Sequence, residues 1–384
     1  MNLGLIPQDS ILHHYLRLAR FMEAPYSYVV ACCLSSISCL LRRNAWFDID
    51  ESGVILPNVS ILLIGPTGIG KDTAINMGYR RILKEFMPGH RITGITSEAI
   101  AGNLFGISER FGEDPACGYI LANEMKQLFG GKDYQSGIIE LLTHVLSDLD
   151  EYVHGTKHKP MIIPHPTVVL QAGSTEEWFH KLPDGALEGG FVPRCLIVYE
   201  PRQRAMIPMP KDYMDFDDRK MKVEALRLFW EGIDRIEELY AKPREVYFDA
   251  EAKEFYSNWY CNRYKLLGPF AQGYAHRSRG HVIRLAILMA ATRGKAILEV
   301  PDVEFAIGWM AELIGRLEKV ILPPTEEGRC IMMIKDVLPR SQNEVIIALR
   351  PKFASLTVKR CIELMRSTGE LAMDGEVCYN GKTS

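Results

Sequence analysis

The sequence predicts an α/β fold built around a parallel sheet. Short apolar runs, partly β-branched, alternate along the chain with segments whose apolar residues recur at helical spacing, and this alternation favours parallel strands joined by helices. The strand-like runs are 59–64, 91–96, 119–122, 167–172 and 195–199. The first run is mostly apolar, which is typical of a strand buried on both faces. We therefore expect a parallel sheet whose strands are joined by helices.

The composition is that of a globular chain. Its 384 residues, 47% of them hydrophobic and 24% charged, are enough for a large core and more than one domain. The formal net charge of -3 announces no polyanion partner, so any such contact must come from local patches. Nine cysteines without a CxxC pair favour buried thiols in a reducing cytoplasm. The apolar stretch 28–41 is shorter than the roughly 20 residues of a membrane span, so we expect a core helix and no membrane partner.

Four segments are expected from shifts in this pattern. Residues 8–42 carry apolar positions at helical spacing and predict a helical N-terminal collar. Several prolines and the acidic run 212–218 interrupt the strand–helix alternation, and Pro323 with Pro324 marks a second break. The expected segments are a collar at 1–50, a core that holds the sheet at 51–205, a helical segment at 206–322 and a terminal domain at 323–384.

The terminal domain has the outline of a winged helix. Three short helices are expected at 326–337, 341–349 and 355–367. A hairpin that turns at Asp374 and Gly375 follows them. Helices followed by such a hairpin are the parts of a winged helix.

Residues 65–73 carry the strongest motif in the chain. They read Gly-Pro-Thr-Gly-Ile-Gly-Lys-Asp-Thr, which is the glycine spacing of a Walker A loop. In such a loop backbone N–H groups surround the phosphates and the lysine reaches the β and γ oxygens. An apolar strand precedes the motif and a helix follows it, as phosphate binding at a helix N-terminus requires; the alternative is a glycine-rich turn that happens to contain a lysine. The predicted nucleotide-binding residues here are Gly65, Pro66, Thr67, Gly68, Ile69, Gly70, Lys71, Asp72 and Thr73.

Two departures from the usual motifs concern the metal. Asp72 occupies the place of the hydroxyl residue that normally binds Mg²⁺, and Asn123 replaces the aspartate of a Walker B strand that reads Tyr-Ile-Leu-Ala-Asn-Glu. A carboxylate at Asp72 and an amide at Asn123 would keep the charge of the site while moving it across the metal, so we predict a Mg²⁺ site at these two residues. The alternative is a degraded site that binds ATP without turnover.

The remaining polar residues of the predicted site follow two strands. Glu124 is expected to polarise the attacking water, since phosphoryl transfer needs mainly positioning and charge stabilisation from a protein; a solvated loop glutamate is the alternative. Ser174 or Thr175, at the end of the run that begins at 167, could hydrogen-bond the γ-phosphate or the water. We include Ser174 among the nucleotide-binding residues.

The order of these parts resembles the AAA+ helicases of the minichromosome-maintenance kind. It is more closely similar to a family of phage and plasmid ATPases, often fused to primases, in which a Gly-Phe-x-x-Arg-Phe-like segment follows the sensor strand; here that segment is Gly-Gly-Phe-Val-Pro-Arg-Cys at 189–195. The resemblance covers about residues 10–320. It implies an AAA+ P-loop NTPase core with a helical lid at 206–322, ATP and Mg²⁺ as cofactors, and a homo-oligomer, expected to be a hexamer.

The resemblance also implies roles for two arginines. Arg194 would be the arginine finger that reaches the γ-phosphate held by the neighbouring subunit, although an arginine in a surface ion pair is the alternative. Arg277 would belong to the sensor-2 helix, with Arg284 and Arg279 as the next choices. The predicted catalytic residues are therefore Lys71, Glu124, Arg194 and Arg277.

Two basic groups are predicted to contact nucleic acid. Residues 152–160 lie just before the sensor strand, where helicases of this kind place a pore hairpin, and Lys157 and Lys159 could contact phosphates from one side of it. A solvated hairpin tip is the alternative, and a zinc site at the nearby histidines lacks further ligands. Lys359 and Arg360 lie on the third terminal helix, where winged helices read a groove. Because that domain has nearly balanced charge, protein docking is an equally good prediction for it.

The function these residues predict is an ATP-driven DNA helicase or translocase in the replication of a phage or mobile element. Its expected partners are DNA, single-stranded by preference, further copies of the chain, and a separate primase or initiator. A scaffold or loader that binds ATP with little hydrolysis and recruits a replication partner is the alternative, supported by the departures at Asp72 and Asn123. A small-molecule kinase would explain neither Arg194 nor the terminal domain.

Overall fold

The computed structural model describes most of the chain, in two compact units. The units are Met1–Leu317 and Glu318–Ser384, and each is treated by itself. The described residues are 2–94, 96–112, 116–129, 135–147, 150–155, 160–179, 182, 190–209, 211–262, 272–317, 326–368, 371–374 and 377–380.

Helices and strands of the first unit alternate through the expected core and give way to helices after it. Three short 3-10 turns at Leu3–Leu5, Asp50–Ser52 and Val192–Arg194 and a π-helical turn at Tyr79–Leu83 accompany them. The helices are α1 (Ile11–Leu18), α2 (Tyr26–Leu41), α3 (Lys71–Gly78), α4 (Lys84–Phe86), α5 (Ser97–Phe111), α6 (Met125–Phe129), α7 (Gln135–Val145), α8 (Glu176–Phe179), α9 (Phe216–Leu239), α10 (Ala250–Asn262), α11 (Gln272–Thr292) and α12 (Val300–Leu317). The strands are β1 (Ala45–Asp48), β2 (Val54–Ile55), β3 (Ser60–Ile64), β4 (Cys117–Ala122), β5 (Glu151–His154), β6 (Met161–Pro164), β7 (Thr167–Ser174), β8 (Cys195–Tyr199), β9 (Arg244–Glu245), β10 (Tyr247–Phe248) and β11 (Ile297–Leu298).

The central sheet is parallel, as the sequence predicted. Its strand order is β4-β7-β3-β8, and all three pairings are parallel. Every residue of β3 and β7 is buried, which explains their apolar sequences. The carboxyl ends of all four strands therefore meet at one edge of the sheet, which we call the carboxyl edge, and their amino ends meet at the opposite, amino edge.

One of the expected strands is absent from the described sheet. Within 91–96 only Arg91 pairs, as an isolated parallel bridge to Tyr119 on the side of β4 away from β7. Ile92 N–H still donates to the carbonyl of Tyr119, but the chain then turns towards α5, whose first turn is capped by the hydroxyl of Thr96. The prediction of a full strand there is wrong because helix capping begins too soon after the single bridge.

The N-terminal residues are part of the same unit as the sheet. The helical stretch is divided into α1 and α2, and Pro25 stands at the N-cap of α2. Helix α2 is buried along almost its whole length and packs against β3, β7 and α3. Its serines also bond the sheet, since Ser35 Oγ donates to the carbonyl of Val59 at 2.8 Å. The collar thus covers one face of the sheet.

The helices that follow β8 close the unit. Helices α11 and α12 pack against each other, and α12 also packs against β8. Two short parallel pairings accompany these helices. Strand β9 pairs with β1, which precedes the central sheet in the chain, and β10 pairs with β11 within the helical part. No helix among the described residues combines the length and the apolar character that a membrane crossing needs.

The second unit consists of three helices and a small antiparallel sheet. The capping box of Ser341 with Glu344 sets the start of its second helix. Its buried core is formed by residues of all three helices and of the first hairpin strand. The elements are α13 (Glu326–Val337), β12 (Arg340–Ser341), α14 (Gln342–Leu349), α15 (Ser355–Ser367), β13 (Leu371–Asp374) and β14 (Val377–Asn380), and the strand order is β12-β14-β13.

Candidate functional site

An open cavity of about 400 Å³ lies at the carboxyl edge, where β3, β7 and β4 end side by side. This volume is within the range of small-molecule sites. It collects residues from three separate stretches of sequence, one after each strand. The lining residues are Thr67, Gly68, Gly70, Lys71, Asp72, Thr73, Asn123, Glu124, Met125, Lys126, Gly173, Ser174, Thr175 and Trp178.

The loop between β3 and α3 has the backbone shape that its glycines permit. Gly68 and Gly70 have φ of 83° and 95°, a region that other residues rarely adopt. Gly70 is the N-cap of α3, and a Cβ there would come within 2.9 Å of Ala24, in the connection between α1 and α2. The glycine is therefore required both by the turn and by the close approach of the N-terminal residues, and the turn directs the N-terminus of α3 into the cavity.

Lys71 places a cation inside this loop. Lys71 is buried, with 9% of its surface exposed, and its Nζ donates to the carbonyls of Gly65 and Pro66, both at 2.7 Å. Burial lowers the pKa of the ammonium, and the negative charges of Asp72 and Glu124 partly offset that effect. The lysine, the first-turn N–H groups of α3 and the helix dipole together make this part of the cavity suited to an anion.

Oxygen-bearing side chains line the other part of the cavity. Asp72, Thr73, Asn123 and Glu124 are exposed to it. Burial raises the pKa of the Asp72 carboxyl, while the neighbouring Lys71 opposes the rise. Among the described residues no group of three or more His, Cys, Asp or Glu side chains could hold a metal by itself. Mg²⁺ commonly needs only one or two protein carboxylates when phosphates complete its coordination, so the residues present fit a Mg²⁺–phosphate complex.

Ser174 lies between these two parts because β7 is the strand between β3 and β4. It is buried, its backbone carbonyl accepts from Gly65 N–H at 3.2 Å, and its Oγ donates to the carbonyl of Thr175 at 3.0 Å. The strand order thus brings Lys71, Ser174 and Glu124 to one cavity, with Ser174 in the middle. An anion held at Lys71 would have a hydroxyl and a carboxylate on its far side.

Four lining residues were not singled out from the sequence. Met125 and Lys126 directly follow Glu124, Gly173 precedes Ser174, and Trp178 lies on the one-turn helix α8. Trp178 N–H donates to Thr175 Oγ1 at 3.3 Å, which turns this helix back over the end of β7. The available signal was position alone, since Gly173 is the penultimate residue of β7 and the other three follow a strand end by at most four residues.

Arg194 lies at the opposite edge of the sheet. It directly precedes β8, and Cys195 pairs with Ser60 at the start of β3, whereas the loop that carries Lys71 follows the end of β3. Five strand residues separate the two levels, or about 17 Å. Within its own chain the guanidinium donates from Nε to Ser147 Oγ and from one terminal nitrogen to the carbonyl of Gly190, each at 2.7 Å. Arg194 is not among the residues that line the cavity.

The sensor-2 candidates lie on α11, which crosses the amino edge. Arg277 is exposed and is not a lining residue of the cavity. Arg284 Nε donates to the carbonyl of Leu56, just before β3, at 3.0 Å. Arg279 stacks its guanidinium 5.6 Å from the ring centre of Tyr260. The structure therefore brings Arg277 towards the same side of the sheet as Arg194 and away from Lys71.

The predicted hairpin before β7 is confirmed, but its basic tip cannot be placed. Strands β5 and β6 pair antiparallel from Glu151 with Pro164 to His154 with Met161. Lys157 and Lys159 fall outside the described residues. In the second unit Lys359 and Arg360 are exposed on α15, where the sequence placed them.

No protein-family model and no curated protein matches this chain. The function is therefore inferred from the geometry of the cavity and of the amino edge.

Proposed function

We propose that the chain is an ATPase with an AAA+ P-loop core. The observation that carries this proposal is the convergence of Lys71, Ser174 and Glu124, from three adjacent parallel strands, on a cavity entered by the N-terminus of α3. A phosphate-sized anion, a hard cation and a water molecule each have suitable side chains there. The resemblance noted in the sequence and this arrangement support the same assignment.

The polar lining residues predicted from the sequence then have chemical roles. Lys71 and the backbone N–H groups of the loop hold the β- and γ-phosphates, and Asp72 with Asn123 holds Mg²⁺, which supplies charge neutralisation on the phosphate oxygens when bound. Glu124 orients the attacking water and accepts its proton. Ser174 hydrogen-bonds the γ-phosphate or that water.

Arg194 and Arg277 are proposed to act on the nucleotide of a neighbouring copy. Their place at the amino edge supports this, because a chain cannot bring its own Arg194 to its own cavity across the length of β8. A guanidinium delivered in this way stabilises the transition-state charge and is worth a factor of about 10³ to 10⁵ in rate. The active assembly is therefore a homo-oligomer with shared sites, a hexameric ring by the resemblance.

The work done by hydrolysis is proposed to be movement along single-stranded DNA in the replication of a phage or mobile element. The β5–β6 hairpin lies directly before β7, so that changes at Ser174 can reach it through one strand, and in the sequence Lys157 and Lys159 stand between its two strands. The order of helices and strands in the second unit supports a winged helix, with Lys359 and Arg360 facing a nucleic acid or a partner such as a primase. The protein is proposed to work in a reducing, cytoplasmic setting.

The test is steady-state hydrolysis of Mg-ATP with and without single-stranded DNA. We expect turnover that DNA stimulates, and we expect Glu124→Gln and Arg194→Ala each to lose it by at least about 10²-fold while ATP binding persists. Loss of binding in these two variants would contradict the roles given to them.

A scaffold or loader is the second candidate, and the Asp72 and Asn123 departures favour it. If the wild-type protein binds ATP tightly but hydrolyses it no faster than Glu124→Gln, the scaffold is the better description. Nucleotide-dependent assembly without turnover would then be its activity.

A further inference from the structure

His281 joins α11 to the turn that carries Arg194. The imidazole is buried, with 2% of its surface exposed, and its Nε2 lies 2.9 Å from the carbonyl oxygen of Pro193. That carbonyl belongs to the peptide bond between Pro193 and Arg194. The contact spans 88 residues of sequence and reaches the backbone immediately before the proposed arginine finger.

The chemistry of this contact defines the state of the ring. A carbonyl oxygen can only accept, so Nε2 must carry the hydrogen. Burial, reinforced by the positive charges of Arg284 and Arg277, lowers the pKa of His281 to about 4, while the bond to Pro193 opposes the shift. The ring is therefore neutral and holds the same hydrogen bond throughout the physiological pH range.

Neighbouring residues on α11 make this contact part of a larger attachment. Arg284 is three residues after His281, on the same helix face, and bonds the carbonyl of Leu56 before β3. Arg277 is four residues before His281, or about 6 Å along the helix axis. One face of α11 thus fastens to the backbone ahead of two adjacent strands and carries Arg277 one turn away.

We propose that His281 is a positioning residue that sets Arg194, through the Pro193 carbonyl, in a fixed relation to Arg277 for use on a neighbouring copy's nucleotide. This inference rests on the proposed function, because it assigns a device to the arginine that the function uses in trans. Val192–Arg194 forms a single 3-10 turn. A shift of this backbone by a fraction of an ångström produces a larger displacement at the tip of the long Arg194 side chain.

Two amide substitutions that differ by one methylene test it. In His281→Gln the amide nitrogen comes close to the place of Nε2 and keeps a donor for Pro193, whereas in His281→Asn the shorter chain cannot reach that carbonyl. We expect His281→Asn to lower kcat by roughly 10- to 100-fold with KM for ATP within about threefold of wild type, because misplacement by about 1 Å can cost that much. His281→Gln should recover most of the rate. Added to Arg194→Ala, His281→Asn should lower kcat no further, since both changes remove the same contribution, that of Arg194 to the rate.

Mixed assemblies identify the site through which His281 acts. Lys71→Ala subunits have a disabled loop but an intact Arg194, and His281→Asn subunits have an intact loop. Mixing the two should restore activity at the sites formed between them, well above the sum of the separate proteins. An effect of His281 on its own chain's cavity would leave the mixture inactive, and it would overturn the inference.

The failure of this inference is separable from failure of the proposed function. If Arg194→Ala hydrolyses ATP like the wild type, the shared-site function itself is wrong. If Arg194→Ala is inactive while a folded His281→Asn protein keeps the wild-type kcat, only the role of His281 falls. Equal losses in the Gln and Asn variants, with equally lowered melting temperatures, would mean that the histidine serves only to pack α11.

Discussion

Replacing Gly173 by alanine tests whether the ends of β7 and β4 set the active geometry. A Cβ on Gly173 would lie 2.5 Å from the carbonyl oxygen of Asn123, whereas Lys71 Cβ at 3.6 Å would be an ordinary contact. The last registered pair of these strands is Ala122 with Ala172, so Asn123 is the first residue able to yield. To reach a normal separation it must move by roughly 0.5 to 1 Å, and overpacking of this kind costs about 1 to 3 kcal/mol of unfolding free energy.

The displaced residue carries the proposed metal ligand and precedes Glu124, so the functional effect should exceed the loss of stability. We expect kcat for ATP to fall by about 10- to 100-fold, with ATP affinity changed less. Hydrolysis, nucleotide titration and thermal unfolding measured on the same preparations separate the two effects. Gly102→Ala is the matched control, because a Cβ at this helical position of α5 meets nothing within 4 Å; it should leave activity unchanged and raise stability by about 0.4 to 1 kcal/mol. Wild-type turnover in folded Gly173→Ala would refute the reasoning.

Three further outcomes are expected. Asp72→Ala should raise the Mg²⁺ concentration for half-maximal hydrolysis by roughly 10- to 100-fold, as loss of metal-site residues commonly does, and an unchanged Mg²⁺ titration would remove Asp72 from the metal site. ATP should change the tryptophan fluorescence, and Trp178→Phe should abolish that change, because Trp178 lines the cavity. Burial raises the pKa of Asp302 from 3.8 to about 6 although Arg293 pairs with it. The native state therefore binds the Asp302 proton more tightly than the unfolded state does. The protonated carboxyl thus contributes about 3 kcal/mol to the unfolding free energy below pH 3.8, and this contribution is lost as pH rises through 6. Chemical denaturation of Asp302→Asn between pH 4 and 7 should show a curve without that loss.

The sheet could be predicted from the sequence because its strands are buried on both faces. Such strands read as apolar runs, and β3, β4, β7 and β8 all fall on runs identified that way. The run at 91–96 looks similar in composition, yet only Arg91 forms a bridge. Whether a short apolar run forms a strand depends on how many residues lie between its last paired residue, here Arg91, and the next helix cap, here Thr96. The composition of the run does not encode that distance.

Most residues of the cavity were predictable because they lie at or after strand ends within recognisable motifs, but their order across the sheet was not. Sequence alone does not tell that β7 lies between β3 and β4, and this order is what places Ser174 between Lys71 and Glu124. Trp178 was missed because its contribution depends on the one-turn helix α8. His281 stands within the segment compared with a sensor-2 helix, but its partner Pro193 is distant in sequence, so no local pattern could join them.

The position of Arg194 constrains how copies of the chain can assemble. The cavity lies at the carboxyl edge of the sheet and Arg194 at the amino edge, about 17 Å apart along β8. A two-fold symmetric dimer can bring each copy of Arg194 to the other copy's cavity only if one surface patch contains both, because residue i then meets j while j meets i. A head-to-tail contact brings the amino edge of one copy to the cavity of the next without that condition, and repeated contacts of that kind form a closed ring or a filament. The Glu124→Gln protein should hold ATP without hydrolysing it. Its mass in solution with ATP present is expected to correspond to assemblies larger than a dimer. A fully active protein that remains a monomer at assay concentrations would exclude Arg194 as a finger acting between subunits.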